Sequence, residues 1–302
     1  MFGVWGVMIF VINILLLGCT LTPESLTHIE GQSLTQPQPR ESGQISAEFQ
    51  QSLSEPQIQT PPEPEPMPRS TTQTQSEPGV KPVQEIPILY YHSIAEEAGN
   101  ELRIPAEEFD SHMKFLRQAG YQSITLHELY QHFYEGWELP RKPFVLTFDD
   151  GYADNFSNAF RIAKKYGFNG TIFMVTGWID GEGYLTKEQL LEMSKAGWQI
   201  EAHTVSHPKL NELTSKQLEF ELKDSKKKLE ELLNTPVMYL AYPYGSYTEQ
   251  VIQEAKGAGY LMGFTTERGW AKGKEPYQVH RVYCYANMGV EELKRRVEDP
   301  SY

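Results

Sequence analysis

Pro143-Phe-Val-Leu-Thr-Phe-Asp-Asp-Gly-Tyr152 is an apolar run that ends in two adjacent acids. Its centre, Phe144–Phe148, has the composition of a strand that is buried on both faces. Two acids directly after such a strand lie at its carboxyl end, where parallel α/β barrels place their reactive groups. The stretch therefore predicts a buried strand that carries Asp149 and Asp150 to one end of a sheet.

Three further polar clusters follow candidate strands elsewhere in the chain. His203 follows the short run 198–202, Tyr244 and Gly245 follow the run 237–243, and His92 follows the run 86–91. An isolated Asp-Asp-Gly is usually a turn, and an isolated pair of histidines four residues apart is often on the surface. The coincidence of four polar clusters at four strand ends instead predicts an α/β fold, a β/α barrel, with one site.

The residue types in these clusters are those of a metal-dependent hydrolase. His203 and His207, four residues apart, can face one direction across a single turn and share one ion. A carboxylate at Asp150 completes a set of two histidines and one acid that leaves positions open for water and substrate. Asp149 is then free to accept a proton from that water.

The segment from about Ile86 to Ala286 resembles the polysaccharide deacetylase family, carbohydrate esterase family 4. The matching stretches, in the family's order, are Thr147-Phe-Asp-Asp-Gly-Tyr152, Gly170-Thr-Ile-Phe-Met-Val175, Gly197-Trp-Gln-Ile-Glu-Ala-His-Thr-Val-Ser-His-Pro208 and Ala241-Tyr-Pro-Tyr-Gly245. The resemblance implies a distorted (β/α) barrel of about seven repeats. It also implies a divalent metal, with zinc as the expected ion, and hydrolysis of N-acetyl groups on a sugar polymer.

Site roles are carried over by matching position. The resemblance implies that Asp149 is the catalytic base and that Asp150, His203 and His207 hold the metal. Tyr244, through its backbone N–H, and His92 are expected at the substrate and its oxyanion.

The sequence departs from the family pattern at two places. Many members have an arginine shortly before the proline of the third motif, where Tyr239-Leu-Ala-Tyr-Pro243 stands here. Many also close on a leucine-rich strand with a histidine that acts as general acid, and this chain has Tyr277-Gln-Val-His-Arg-Val282 instead. That ending is similar to a subgroup that acts on exported poly-N-acetylglucosamine. Adjacent strand residues point to opposite faces, so Arg281 is favoured as the inward residue that braces Asp149. The general acid is left open, with His280 as the alternative inward residue.

Residues 1–19 predict export. The uncharged apolar run Phe2–Gly18 fits the hydrophobic region of a signal peptide, and Leu16-Leu-Gly-Cys19 resembles a bacterial lipobox with Cys19 as the lipidated residue. The run lacks Lys or Arg before it, so an uncleaved membrane anchor is the rival interpretation. Both interpretations attach the catalytic domain to the outside of the cytoplasmic membrane, and the lipoprotein is favoured.

Residues 20–85 predict a disordered linker, and residues 86–302 a single catalytic domain. Pro, Gln, Ser, Thr and Glu dominate the linker, whose composition cannot bury enough apolar surface to order it. Only two cysteines are present, and with Cys19 assigned to lipid attachment, Cys284 is left as a packed strand residue without a disulfide partner.

A net charge of −13 argues against nucleic acid as a partner, since phosphate recognition needs basic clusters. The expected partners are a polysaccharide substrate and a membrane; the oligomeric state is not predicted. Three functions stay open at this point: a metal-dependent N-deacetylase of a surface polysaccharide, an O-deacetylase of an acetylated polymer such as xylan, and an inactive carbohydrate-binding homologue. A glycosidase is disfavoured, because adjacent acids lack the two-sided spacing it requires.

Overall fold

Seven parallel strands close into a barrel within residues 85–302, the part of the chain that the computed structural model describes. Around the barrel the strands follow the order β1-β8-β7-β6-β5-β4-β3, and pairing of β1 with β3 closes the ring; the short β2 lies outside it, on β3. The strand bounds are β1 Ile88–Tyr91, β2 Gln122–Ser123, β3 Pro143–Asp150, β4 Thr171–Met174, β5 Gln199–Ala202, β6 Tyr239–Ala241, β7 Met262–Arg268 and β8 Val279–Tyr283. The predicted distorted β/α barrel is confirmed.

Helices connect the strands on the outside of the barrel. Their bounds are α1 Ala106–Gln118, α2 Leu126–Glu135, α3 Arg161–Lys165, α4 Lys187–Lys195, α5 Ser215–Glu219, α6 Ser225–Leu233, α7 Glu249–Gly257 and α8 Gly289–Glu298. Two π-helical segments adjoin this set: Asn155–Phe160 leads into α3, and Phe220–Asp224 joins α5 to α6. Thr214 opens α5 with a capping box to Gln217, as its sequence predicts.

Alternation along β3 separates two faces. Phe144, Leu146 and Phe148 pack between the sheet and the helices, whereas Val145 belongs to a second apolar cluster inside the barrel. Asp149 lies two pleats from Val145 on the inner face, because side chains alternate along a strand. An apolar interior therefore fills the lower barrel and leads up to the acid at its carboxyl end.

Three predictions concern other parts of the chain. The predicted signal or lipobox segment 1–19, with Cys19, and the predicted linker 20–85 lie outside the described residues, apart from Glu85. Cys284 is buried, as predicted, and forms no disulfide among the described residues. The sequence predicts that it lies within a strand, but β8 ends one residue earlier, at Tyr283. Between residues 85 and 302, no helix has both the length and the apolar character needed to cross a bilayer.

Candidate active site

Asp149 and Arg281 form a buried ion pair across the mouth of the barrel. Arg281 Nη1 donates to Asp149 Oδ1 at 2.7 Å, and Nη2 donates to Oδ2 at 2.8 Å. The third guanidinium donor, Nε, bonds the Thr265 carbonyl at 2.9 Å, and the Tyr90 ring lies 4.3 Å from Arg281 Cζ. Arg281 is fully buried and Asp149 nearly so. A two-point pair of this kind fixes the orientation of the carboxylate as well as its charge.

The pair sets the protonation state of Asp149. Burial alone would raise its pKa, but the Arg281 guanidinium outweighs burial and lowers the pKa of Asp149 to about 2. His280, the neighbouring strand residue, lies on the other face of β8, where its Nε2 is 3.1 Å from Glu267 Oε2. The inward orientation predicted for Arg281 is therefore the observed one, and His280 is not in the site.

A sharp turn separates Asp150 from Asp149 in direction. Asp150 has φ 73° and Gly151 has φ 83°, so two successive residues adopt the left-handed conformation at the end of β3. A side chain at Gly151 would also overlap the Met174 thioether. The turn brings Asp150 Oδ1 to 3.5 Å from His203 Nε2 and 3.3 Å from His207 Nε2.

Asp150, His203 and His207 make a set that fits a cation. Their ligand atoms all lie within 4.8 Å of one another. His203 Nδ1 donates to the Ala241 carbonyl at 2.8 Å, which leaves its Nε2 lone pair facing the acid. Asp150 Oδ1 is buried without a hydrogen-bond partner among the described residues. A buried carboxylate oxygen with no partner, opposite two imidazole nitrogens, is what a divalent cation would satisfy.

The two histidines are not on a helical turn. His203 follows β5 directly, and residues 203–209 form an irregular loop in which Thr204 and His207 have φ 68° and 62°. Burial lowers the pKa of His207 to about 4, so its ring is neutral at pH 7, the form that binds metal. The spacing of four residues thus works through a strained loop and not through helical periodicity.

His92 and Tyr244 both border this set. Burial lowers the pKa of His92, against the opposing effect of the Asp149 and Asp150 carboxylates, and its Nδ1 has no hydrogen-bond partner within residues 85–302. Tyr244 has φ 59° and is 62% exposed, and its ring packs edge-on at 4.6 Å from the His207 ring. Both residues therefore lie beside the Asp150-His203-His207 set.

Several contributors to the site carry no sequence signal. Glu221 bonds the loop that contains His207, and Asn155 Nδ2 donates to the His92 carbonyl at 2.7 Å. Trp178 and Tyr184 extend an aromatic edge outward from His207, with ring centroids 5.4 Å (Trp178 to His207) and 4.7 Å (Trp178 to Tyr184) apart. Asn155 and Glu221 lie in π-helical segments whose sequences are typical of ordinary helix. The sequence pattern alone therefore does not predict that these two side chains reach the site.

The fold is a parallel barrel, and its carboxyl end carries an acid paired with arginine beside an Asp-His-His set. This combination is typical of a hydrolase. The family model for polysaccharide deacetylase matches residues 137–263. The Bacillus subtilis protein YxkH is 41% identical over 205 residues, which cover 68% of this chain and 73% of that protein. The chain belongs to the polysaccharide deacetylase family.

Two other similarities bear on the site. Poly-beta-1,6-N-acetyl-D-glucosamine N-deacetylase of Staphylococcus aureus is 28% identical over 209 residues, covering 64% of this chain and 71% of that enzyme. The solved structure of the Streptococcus pyogenes deacetylase PplD with acetate superposes with a TM-score of 0.69 at 31% identity, covering 72% of this chain and 100% of that one. The family and these relatives agree with the hydrolase class that the site suggests.

Proposed function

We propose that this protein is a metal-dependent N-deacetylase of a polysaccharide that contains N-acetylglucosamine. The observation that carries the proposal is the adjacency of two acids with different environments. Asp149 is paired with Arg281 through both oxygens, whereas Asp150 faces His203 and His207. One acid is thereby available for proton transfer and the other for a cation.

In the proposed mechanism Asp150, His203 and His207 hold the cation, with zinc as the expected ion. When bound there, a divalent cation polarises a carbonyl and acidifies a water molecule. Asp149 accepts one proton from the water as the water oxygen forms its bond to the acetamide carbon. As the C–N bond breaks, the nitrogen takes up the proton that Asp149 collected, and a free amine and acetic acid leave. The acid then loses the water's second proton to the amine or to solvent and becomes acetate.

The environment of Asp149 keeps the carboxylate charged and oriented for the first proton transfer. Because the Arg281 guanidinium lowers the pKa of Asp149 to about 2, Asp149 is ionised at neutral pH, the state that can accept a proton. His92, neutral and with an unpartnered Nδ1, is proposed to hydrogen-bond the substrate oxygen. His280 is not proposed as the acid, since it faces away and pairs with Glu267.

Two features support a sugar polymer as the substrate. Aromatic rings surround the cation set and offer flat faces to sugar rings; we call Tyr152, Trp178, Tyr184 and Tyr244 the aromatic rim. The rim is continuous from the exposed Tyr244 past His207 to Tyr152, which stacks on Tyr184 with centroids 5.5 Å apart. The Staphylococcus aureus relative is, by its name, an N-deacetylase of poly-β-1,6-N-acetyl-D-glucosamine.

The test is a panel of polymers assayed for acetate and for free amine, with and without chelator. Poly-N-acetylglucosamine, chitin oligomers, peptidoglycan glycan and acetylated xylan separate the candidate substrates. We expect acetate and amine in equal amounts from an N-acetylglucosamine polymer, and their loss after chelation or in Asp149→Asn. Acetate from xylan without amine would instead indicate an O-deacetylase, and binding without any acetate an inactive homologue.

A pair of histidine variants tests the cation set itself. His203→Ala should lose both zinc binding and acetate release, because two remaining ligands hold the ion poorly. His280→Ala is the matched control on the outer face of β8 and should retain both. Full acetate release by His203→Ala would contradict the metal-dependent mechanism.

We also propose that the protein is attached to the outside of the cytoplasmic membrane through residues 1–19. The support is the lipobox-like ending at Cys19. Cys19→Ala should leave a larger, unprocessed form if the residue is lipidated and the leader removed. An unchanged size with membrane association retained would favour the uncleaved anchor.

A further inference from the structure

Glu221 lies under the loop that carries the second histidine of the cation set. Its side chain is almost fully buried, at 6% exposure, although it belongs to a charged helical segment. Glu221 Oε2 accepts from the backbone N–H of Val205 at 2.8 Å and of Ser206 at 2.9 Å. Its Oε1 accepts from Ser206 Oγ at 2.5 Å. One carboxylate thus takes three hydrogen bonds from two consecutive residues between the histidines.

The loop needs such support because its backbone is strained at both ends. Thr204 and His207 both adopt left-handed φ values, of 68° and 62°. That conformation is unfavourable for any residue with a side chain, and most of all for a β-branched threonine. Within the loop, His207 N–H donates to Thr204 Oγ1 at 3.0 Å. Strain of this kind persists only where the surrounding contacts hold the backbone in place.

Glu221 lies within a π-helical turn. The segment Phe220–Asp224 interrupts the helix between α5 and α6. The turn is itself secured from inside the fold. Ser225 Oγ donates to the Glu221 carbonyl at 2.7 Å, and Tyr260 OH donates to the Leu222 carbonyl at 2.8 Å, both from buried side chains.

Helix α6, which follows the π turn, also holds the segment 176–177 that lies against the loop. Lys228 Nζ donates to the Thr176 carbonyl at 2.6 Å. Residues 176 and 177 in turn donate their N–H groups to the carbonyls of Thr204, at 3.0 Å, and Val205, at 2.7 Å. The loop therefore donates hydrogen bonds through its N–H groups to Glu221 and accepts hydrogen bonds at its carbonyls from residues 176 and 177. Lys228 in turn bonds the Thr176 carbonyl.

We infer that Glu221 is a positioning residue that holds the loop 203–207 in the shape His203 and His207 need to share one cation. The inference rests on the proposed function, since it assigns Glu221 to the cation set of that same site. Groups that orient metal ligands typically change metal affinity by 10–100-fold when removed. Glu221 touches neither the cation set nor the reacting atoms, and it acts through the backbone of Val205 and Ser206.

The test compares Glu221→Ala with Glu221→Gln and with Glu219→Ala in the full chain. Glu219 is the matched control: it lies two residues before Glu221, is exposed, and pairs with Lys223. Zinc affinity is measured by competition with a chromophoric chelator, at a temperature where circular dichroism shows each variant folded. Glu221→Ala should weaken zinc binding at least tenfold. Glu221→Gln, whose carbonyl oxygen can still accept both backbone bonds, should recover most of it, and Glu219→Ala should match wild type.

A second readout needs no metal. In the metal-free protein, hydrogen exchange at Val205 and Ser206 should be slow in wild type and in Glu219→Ala, and faster in Glu221→Ala. Wild-type zinc affinity together with wild-type exchange in Glu221→Ala would overturn the inference. Should Glu221→Ala fail to fold, Ser206→Ala removes one of the three bonds. It is then expected to weaken zinc binding several-fold, and an unchanged affinity would overturn the inference.

The outcomes separate the inference from the proposed function. A wild-type protein that binds zinc, with Glu221→Ala binding it equally well, leaves the proposed function intact and removes only the role of Glu221. A wild-type protein that binds no zinc removes the metal-dependent function, and the assignment of Glu221 to a cation set falls with it.

Discussion

Two neighbouring acids acquire different chemistry from their contacts alone. Asp149 remains on the regular path of β3 and faces Arg281, which keeps it ionised. Asp150 turns away at φ 73° and meets His203 and His207 instead. The left-handed backbone at Asp150 thus separates a carboxylate paired with arginine from a carboxylate that faces two histidines.

Arg281 makes the difference between the acids testable. In Arg281→Ala, burial without the guanidinium would raise the pKa of Asp149, so the fraction ionised should fall as the pH is lowered. We expect turnover to drop at least tenfold at neutral pH. We also expect the acidic limb of the kcat–pH profile, which in wild type lies at a pH too low to measure, to shift to higher pH. Zinc content, measured by mass spectrometry, should stay near the wild-type value, because Arg281 contacts no residue of the cation set.

Arg281→Lys is the companion variant. It restores the charge but not the two-point geometry, so we expect partial recovery of turnover. Removing one partner of a buried pair can cost about 3–5 kcal/mol of stability, so circular dichroism must show each variant folded at the assay temperature. A folded Arg281→Ala enzyme with the wild-type pH profile would contradict the bracing role.

At the scale of elements, β5 and β6 pair through Ala202 and Leu240. The side chain of Glu201 in β5 also links the two strands. Its Oε2 accepts hydrogen bonds from the N–H groups of Met238 and Tyr239, both at 2.9 Å, at the start of β6. Its full burial raises its pKa to about 8, against the lowering effect of these hydrogen bonds. Burial therefore favours the protonated form of Glu201 in the folded protein at neutral pH.

This burial predicts a pH-dependent stability. Between roughly pH 4.5 and 8 the folded state keeps a proton on Glu201 that the unfolded state releases, so the contribution of Glu201 is present at low pH and declines as the pH rises, by up to about 1.4 kcal/mol per unit. Glu201→Gln should remove that slope from the free energy of unfolding, measured by urea titration at several pH values. Glu231→Gln, an exposed control, should keep it. Equal slopes in wild type and Glu201→Gln would contradict the assignment.

The two π-helical segments share a structural role. Asn155, in the segment before α3, bonds the carbonyl of His92, and Glu221, in the segment between α5 and α6, bonds the loop before His207. Each segment thus brings a buried polar side chain from a surrounding helix to a loop at the carboxyl end of the barrel.

At the scale of the whole molecule, the sequence predicts what periodicity and local composition determine. Alternation along Tyr277–Val282 predicts that Arg281 and His280 point to opposite faces, and apolar runs locate the strands that bring the acids and histidines together. Which of the two points inward is seen only in the fold, where Arg281 pairs with Asp149. Glu221 and Glu201 could not be predicted, because a glutamate in an amphipathic helix or a short strand is normally solvent-exposed. Their burial goes with hydrogen bonds from Val205 and Ser206 to Glu221 and from Met238 and Tyr239 to Glu201, which only the assembled fold creates.

The aromatic rim leads to a prediction about substrate length. Tyr184 lies beyond Trp178 from the cation set, so a sugar that stacks on it belongs to a residue neighbouring the one deacetylated. A ring contact of this kind contributes on the order of 1 kcal/mol, or about fivefold in kcat/KM. Tyr184→Ala should therefore lower kcat/KM several-fold on an N-acetylglucosamine hexamer, mainly through KM, and change it little on a dimer too short to reach the ring. Trp137→Ala is the control, since Trp137 is 56% exposed and precedes the start of β3, at the opposite end of the barrel. An equal loss of kcat/KM on the dimer and the hexamer would mean that Tyr184 supports the packing of Tyr152 and Trp178 and does not bind the polymer.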